Sequence, residues 1–366
     1  MDVSTQVGII GCGKISDAYF TGIRRYAGLE IVACADLDVG RAREKARANG
    51  VPKGCSVDEL LADPEIQMVV NLTVPQAHVV INERILHAGK HAYTEKPFSL
   101  NSAESAAVLA LAASKERRIG SAPDTFLGGG IQTCRKLIDE GAIGVPIAAT
   151  AFMIGRGPES WHPSPAFYYQ KGGGPMMDMG PYYITALVNL LGPISRVSGS
   201  ARTTFPQRII TSQPLAGTKV EVEVPTHYSG TMDFTSGVVA TMVMSFDVYP
   251  YPFPPIVVFG TEGTLQVPDP NTFGGEVRLS RKGGDYTQIE PTHSTDRGRG
   301  TGLVDMAYAL RSGRAHRANG VLAHHVVEAM EAFERASREE RYVHLTSTCE
   351  RPAMLPLGLG PDTLDP

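Results

Sequence analysis

The stretch "VGIIGCGKIS", residues 7–16, constrains this chain most. A short apolar run turns through two glycines and opens directly into "DAYFTGIRRYAG", whose apolar residues recur at helical spacing. A strand that passes into a helix in this way reaches a parallel neighbour by a crossover. The following segments repeat the alternation. "LEIVACAD" (29–36) reads as a second strand, "VGRAREKARANG" as a helix closed by Gly50, and "SVDELLADP" as a short helix opened by Ser56. "IQMVVNLTVP" (66–75) is a third strand, "AHVVINERILHAGK" a helix, and "HAYTEKP" (91–97) a fourth strand; "SAESAAVLALAASKERR" is a helix and "IGSAP" a fifth strand. Such alternation predicts βαβ units and a parallel sheet covered on both faces.

Beyond about Pro123 the pattern changes. "FLGGGIQTCRKLIDEGAIG" reads as a helix, and strand-like stretches then dominate: "PIAATAFMI", "GTKVEVEV", "HYSGTMDF", "GVVATMVMSFDV", "PIVVFGTEGTLQV" and "EVRLSRKG". In the fourth of these Val238, Ala240, Met242, Met244, Phe246 and Val248 form one apolar face, while Thr241, Ser245 and Asp247 mix polar groups into the other. That is the signature of an antiparallel sheet covered on one side. The chain of 366 residues is too long for one ordinary core, so two domains are expected. The Pro- and Gly-rich end, "ERPAMLPLGLGPDTLDP", reads as an extended tail.

Composition excludes several function classes. The formal net charge is −4 and the basic residues are scattered, so no nucleic-acid footprint is present. No apolar run has the ~18 residues of a membrane helix. "MDVSTQ" lacks the basic and apolar regions of a signal peptide. Five cysteines (Cys12, Cys34, Cys55, Cys134 and Cys349) lie at wide spacings without a CxxC, which argues against a disulfide framework or a zinc site; Cys12 and Cys34, in apolar strand-like contexts, read as buried free thiols, and a reducing cytoplasm is expected. No metal is assigned: His324 and His325 lack a carboxylate pattern, and His227, His293, His316 and His344 are isolated.

The opening glycines form Gly11-x-Gly13-x-x-Ser16 between a strand and a helix. The first glycine makes the tight turn, the second lets backbone approach a pyrophosphate, and the small third residue packs helix on strand. The helix N-terminus then offers free N–H groups to the diphosphate. Asp36 ends the second strand about 20 residues on, where a carboxylate binds adenosine ribose hydroxyls. A turn acid ahead of Leu37 is the competing reading, and the context favours the ribose role. With Leu37 rather than arginine next, NAD is expected as cofactor; Arg41, one turn on, leaves NADP open. Glu95, Lys96 and Pro97 end the fourth strand, where ligands bind in open α/β sheets. An accidental ion pair in a surface loop explains that trio equally well from first principles.

Taken together, "GIIGCGKIS", "ACADLD", "NLTVPQAH", "HAGKHAYTEKPFSL" and "GGGPMMDMGPYY" resemble, in order and over nearly the whole chain, the Gfo/Idh/MocA family of nicotinamide-dependent oxidoreductases. The resemblance implies an α/β protein with an N-terminal Rossmann domain and a C-terminal α/β domain carrying a large open, mainly antiparallel sheet. The expected division is 1–123 for dinucleotide binding, 124–349 for substrate binding and oligomerisation, and 350–366 for the tail. Lys96 corresponds to the family's catalytic lysine, in contact with nicotinamide ribose and substrate, and Glu95 binds that ribose. Thr73, Pro75 and His78 are expected along the cofactor cleft, with Lys14 and Ile15 beside Gly13. A packed helix-start residue is the other reading of His78. Relatives also have a cis bond at the position of Lys96–Pro97.

The family pattern places an Asp after a Gly-rich turn and an acid/base His four residues later. Asp178 matches the Asp, and Tyr182 stands at the His position. Four residues apart on a helix, the two side chains share one face. A free phenol, with a pKa near 10, is too weakly acidic for a base at neutral pH, and a nearby ammonium lowers that value. The expected division of labour gives Tyr182 the hydroxyl proton, Lys96 the substrate oxygen and Asp178 a neighbouring hydroxyl. An N-capping Asp followed by two buried aromatics is the alternative, and Tyr183 fits it. Just upstream, Trp161, His162, Phe167, Tyr168 and Tyr169 form an aromatic stretch suited to the C–H face of a sugar; aromatics packing a loop onto the sheet explain it equally well.

The expected function is hydride transfer between NAD(P) and a secondary hydroxyl or ketone of a sugar, glycoside or cyclitol. An NAD-dependent glycosidase, working by transient oxidation and elimination, and a non-catalytic dinucleotide sensor are the competing readings. A homodimer or homotetramer through the C-terminal sheet is expected from its uncovered face.

Overall fold

The computed structural model describes residues 4–365, which divide into two compact units. The first opens with β1 (Thr5–Ile10), α1 (Ser16–Arg24), β2 (Leu29–Ala35), α2 (Val39–Ala48), β3 (Lys53–Cys55) and α3 (Val57–Ala62). It continues with β4 (Met68–Asn71), α4 (His78–His87), β5 (His91–Thr94), α5 (Ser102–Ser114) and β6 (Ile119–Ser121). The strands form a parallel sheet in the order β3-β2-β1-β4-β5-β6. Strands β1 and β4 are apolar because helices cover both faces, and Val7, Ile9, Met68, Val69 and Val70 are fully buried. The α3 start is a reciprocal capping box, with Glu59 N–H bonded to Ser56 Oγ and Ser56 N–H to the Glu59 carboxylate.

The second unit contains most of α6 (Gly129–Asp139), then β7 (Pro146–Ile154), α7 (Gly174–Leu191), β8 (Ile194–Arg202), β9 (Gln207–Ile209), β10 (Lys219–Glu221), β11 (His227–Phe234) and β12 (Val239–Ser245). After β13 (Ile256–Gly260), β14 (Gly263–Val267), β15 (Val277–Arg281) and β16 (Thr287–Ile289), α8 (Thr301–Ser312) follows, then α9 (Gly320–Glu339) and β17 (Val343–His344). Among the described residues nine strands make one sheet in the order β16-β15-β14-β13-β7-β12-β11-β8-β17; neighbours are antiparallel except β7 and β12, which run parallel. One face carries Ala149, Ala151, Ala240, Met242, Met232 and Val197, all buried, with α7 packed on β7, β11 and β12. Helix α9 approaches the same face closely: a Cβ at Gly199 would lie 2.8 Å from the Phe333 ring.

The chain parts differently from the expected boundaries at 123 and 349. Residues 292–324 and 352–365 return to the first unit, so α8 packs there. Buried Asp124 draws α8 in, its Oδ2 accepting the Gly300 and Gly302 N–H groups at 2.8 and 3.0 Å. The expected tail packs rather than extends, with Leu355 and Leu364 buried and Arg317 bridging Asp305 and Asp365. All five cysteines are buried free thiols. Among the described residues no helix is long and apolar enough to cross a membrane.

Candidate active site

Within the first unit the turn after β1 forms a cradle. Gly11 has φ +101°, and a Cβ there would lie 2.6 Å from the Leu72 backbone, so only glycine fits. Apart from its chain neighbours, a Cβ built on Gly13 meets no atom of the described residues within 4 Å, which leaves the backbone open to a ligand. Ser16 is buried and its hydroxyl donates to Gly13 O at 2.6 Å, fixing the turn at the start of α1. Lys14 and Ile15, beside it, are exposed.

Asp36, at the end of β2, is buried and accepts the N–H groups of Cys12 (2.8 Å) and Asp38 (3.0 Å) and the Arg41 guanidinium. Burial works against its charge, but Arg41 and the two N–H donors outweigh burial and hold the carboxyl below its usual range. Beside it lies a cavity of about 380 Å³ lined by Gly11, Gly13, Asp36, Leu37, Arg41 and Thr73, with Val57, Leu72, Val74, Ala77 and Ile81 supplying apolar walls. A carboxylate at the rim of an apolar slot, next to an open glycine turn, fits an adenosine with its diphosphate. The apolar walls were not foreseen, because single Val and Ile residues in helices read as core.

The Thr73 hydroxyl is turned toward Asn71 Oδ1 (2.7 Å), and Pro75 starts a single 3₁₀ turn. His78 sits within the protein: Nδ1 lies 2.7 Å from Pro97 O and Nε2 3.0 Å from Thr73 O. Burial lowers its pKa, and a neutral ring donates to one of these carbonyls. His78 therefore ties the loop after β4 to the loop after β5, the packed reading, and presents no ring nitrogen to the cavity.

Beyond β5, Glu95 is buried. Its Oε1 accepts the Tyr19 phenol at 2.8 Å and its Oε2 the Lys96 N–H at 2.9 Å. Lys96 is half-buried, and the Lys96–Pro97 peptide is cis. The Tyr19 contact was missed because a tyrosine in an amphipathic helix gives no signal beyond core.

In the second unit Asp178 and Tyr182 lie four residues apart on α7; Asp178 is half-buried and Tyr182 buried. Helix α7 starts from the glycine run with Pro175 in its first turn, where a missing N–H costs nothing. Tyr183 is buried, and burial raises its phenol pKa, as befits a core residue. Trp161 (65% exposed) packs edge-on to His162 at 5.5 Å and to Tyr168 at 6.4 Å, and Phe167 lies 4.1 Å from Tyr168. Ser164 N–H donates to His162 Nδ1 at 3.0 Å, which puts the ring proton on Nε2.

Beneath these rings runs a buried ionic chain that sequence gave no hint of. Arg208 binds Glu159 (2.9 Å) and Asp247, Glu159 accepts the Tyr169 phenol, and Asp247 accepts Thr226 Oγ1 at 2.8 Å. The partners are 49 and 39 residues from Arg208 in sequence, so no local pattern marks them.

Both parts of the chain match known proteins. Residues 5–122 match an oxidoreductase family with an NAD-binding Rossmann fold, and residues 131–266 match the GFO/IDH/MocA C-terminal domain. The 1,5-anhydro-D-fructose reductase of Ensifer adhaerens is 30% identical over 146 residues, 40% of this chain and 44% of that protein. The trans-1,2-dihydrobenzene-1,2-diol dehydrogenase of Bos taurus is 28% identical over 189 residues, 50% of this chain and 55% of that one. The matched region thus spans about half the length of these relatives. A levoglucosan dehydrogenase solved with NADH superposes with a TM-score of 0.79 at 20% identity, over 94% of this chain and 100% of that one, which shows a shared fold.

Proposed function

The chain belongs to the Gfo/Idh/MocA oxidoreductases with an NAD-binding Rossmann domain, and from that premise we propose that it exchanges a hydride between NAD and a secondary hydroxyl or ketone of a sugar, glycoside or cyclitol. The observation that carries this reading is the cradle of Gly11, Gly13 and Asp36 beside its apolar cavity, in the same unit as a Glu95–Lys96 pair at a strand end. When bound, the nicotinamide supplies the hydride acceptor. The Gly11–Gly13 turn and the start of α1 hold the diphosphate, and Asp36 accepts ribose hydroxyls. Thr73, Pro75, Lys14 and Ile15 border the cofactor, and Glu95 holds the second ribose.

Lys96 steadies the developing alkoxide, since a fixed positive charge is worth most where negative charge grows. Tyr182 takes the hydroxyl proton and Asp178 orients the neighbouring hydroxyl. Trp161 offers an apolar face to the ring, and His162, protonated on Nε2, donates to a hydroxyl. The second unit thus serves substrate binding and association. The five buried free thiols fit a reducing cytoplasm.

The test is absorbance at the reduced-nicotinamide band as sugars, glycosides and inositols are offered with NAD. A rise with one class supports the dehydrogenase and names its substrates. NAD-dependent release of aglycone without a net rise would replace it by a glycosidase. Tyr182→Phe should then lower kcat by about 100-fold, the lower range for a lost acid/base group, with NADH binding unchanged. Full activity in that variant would remove Tyr182 from the chemistry.

A further inference from the structure

We infer that Tyr19 is a positioning residue for the nicotinamide-ribose half of the cofactor site: its phenol, carried on the helix that begins at the phosphate turn, fixes the Glu95 carboxylate. The inference rests on the role proposed above for Glu95. Helix α1 starts at Ser16, and Tyr19 lies one turn in, with 0% of its surface exposed. Its neighbour Phe20 is equally buried without any hydroxyl, so packing alone does not call for a phenol here. The Tyr19 hydroxyl reaches across 76 residues of sequence to Glu95 Oε1, at 2.8 Å.

Glu95 is then held at both oxygens, by Tyr19 at Oε1 and by the Lys96 N–H at 2.9 Å from Oε2. A carboxylate has about four acceptor positions, so each oxygen keeps one for a ligand hydroxyl. Two protein donors set the plane of the carboxylate, and that plane decides whether the remaining positions meet both hydroxyls of a ribose. Burial, with the charges of Glu95 and Asp124 nearby, raises the Tyr19 pKa well above its ordinary value, so the group stays a donor at every working pH. The same helix presents its N-terminus to the diphosphate. One rigid element therefore serves both halves of the dinucleotide, and only the half at Glu95 depends on the phenol.

That asymmetry supplies the test. NADH and ADP are titrated by calorimetry into the wild type, Tyr19→Phe and Glu95→Gln. ADP carries the adenosine and diphosphate that the Gly11, Gly13 and Asp36 cavity would take, but no nicotinamide ribose. Tyr19→Phe should raise the NADH dissociation constant by about tenfold, the scale of one lost hydrogen bond to a charged group, and leave ADP within about twofold. Glu95→Gln, which leaves α1 intact, should show the same split. The double variant should bind NADH no more weakly than Glu95→Gln alone, because the phenol acts on the cofactor only through that carboxylate. Equal losses for NADH and ADP in Tyr19→Phe would mean general damage to α1 and overturn the inference, as would unchanged NADH binding or additive losses. A wild type that binds ADP but not NADH would overturn the Glu95 assignment itself, and this inference with it.

Discussion

Arg41 and Asp36 set up a choice between cofactors at the level of two side chains. The Asp36 carboxylate repels a 2′-phosphate, yet Arg41 is bound to it, half exposed, and lines the same cavity. An arginine in this position neutralises the acid and offers paired donors to a phosphate. Arg41→Ala should weaken NADPH by about tenfold while NADH changes less than about threefold, since Asp36 keeps its Cys12 and Asp38 donors. Equal losses in fluorescence titrations of the two cofactors would remove Arg41 from the choice. The place of Asp36 beside the glycine turn was legible because its distance along the chain is set by the length of one βαβ step. Tyr19, Glu159 and Arg208 were not, because each acts through a partner dozens of residues away and carries no mark of it in its own neighbourhood.

At the level of elements, periodicity predicted most strands and helices and failed where an element is short or its packing partner is distant. Strand β3, "KGC", has three residues and a glycine, too little for a pattern. Helix α8 read clearly as a helix, but nothing in "GLVDMAYALRSG" says that its N-terminus meets Asp124 in the first unit. The same long-range logic anchors α9. Glu328 on α9 is buried, which alone would raise its pKa, but the Ser347 hydroxyl, together with the N–H and hydroxyl groups of Thr346 and the N–H of Ser347 at 2.7–2.8 Å, outweighs burial and brings it down to about 2. A carboxyl lowered on folding stabilises the fold above its unfolded value, and that contribution fades as pH falls from about 4.5 towards about 2. Glu328→Gln should therefore cost about 2 kcal/mol at pH 7, within the range for hydrogen bonds to a charged group. Urea unfolding of both proteins should show the gap narrowing between pH 5 and pH 3, roughly the span over which such a carboxylate protonates; a gap independent of pH would mean that Glu328 acts by shape alone.

For the molecule as a whole, the sheet of the second unit poses the open question of assembly. Its helix-covered face is buried, whereas the other carries a row in register, Ser198, Thr231, Thr241 and Thr150, with Val239 and Val243 beside it. Thr241 and Val239 are exposed, and Thr150, Thr231 and Val243 half-buried. Small hydroxylated and β-branched side chains make a flat surface that two copies can share across a two-fold axis, each strand row meeting its own image. A sheet this wide offers room for the ~800 Å² per partner that a stable interface takes. The protein should sediment as a dimer or tetramer at micromolar concentration. Thr241→Arg places a charge at the centre of the face, and under two-fold symmetry every such charge is brought towards its copy, so the variant should dissociate. NADH binding should survive in it, because the cradle of Gly11, Gly13 and Asp36 lies wholly within the first unit. A wild type that sediments as a monomer would leave the open face without this partner, and a Thr241→Arg assembly as stable as the wild type would move the interface off the sheet.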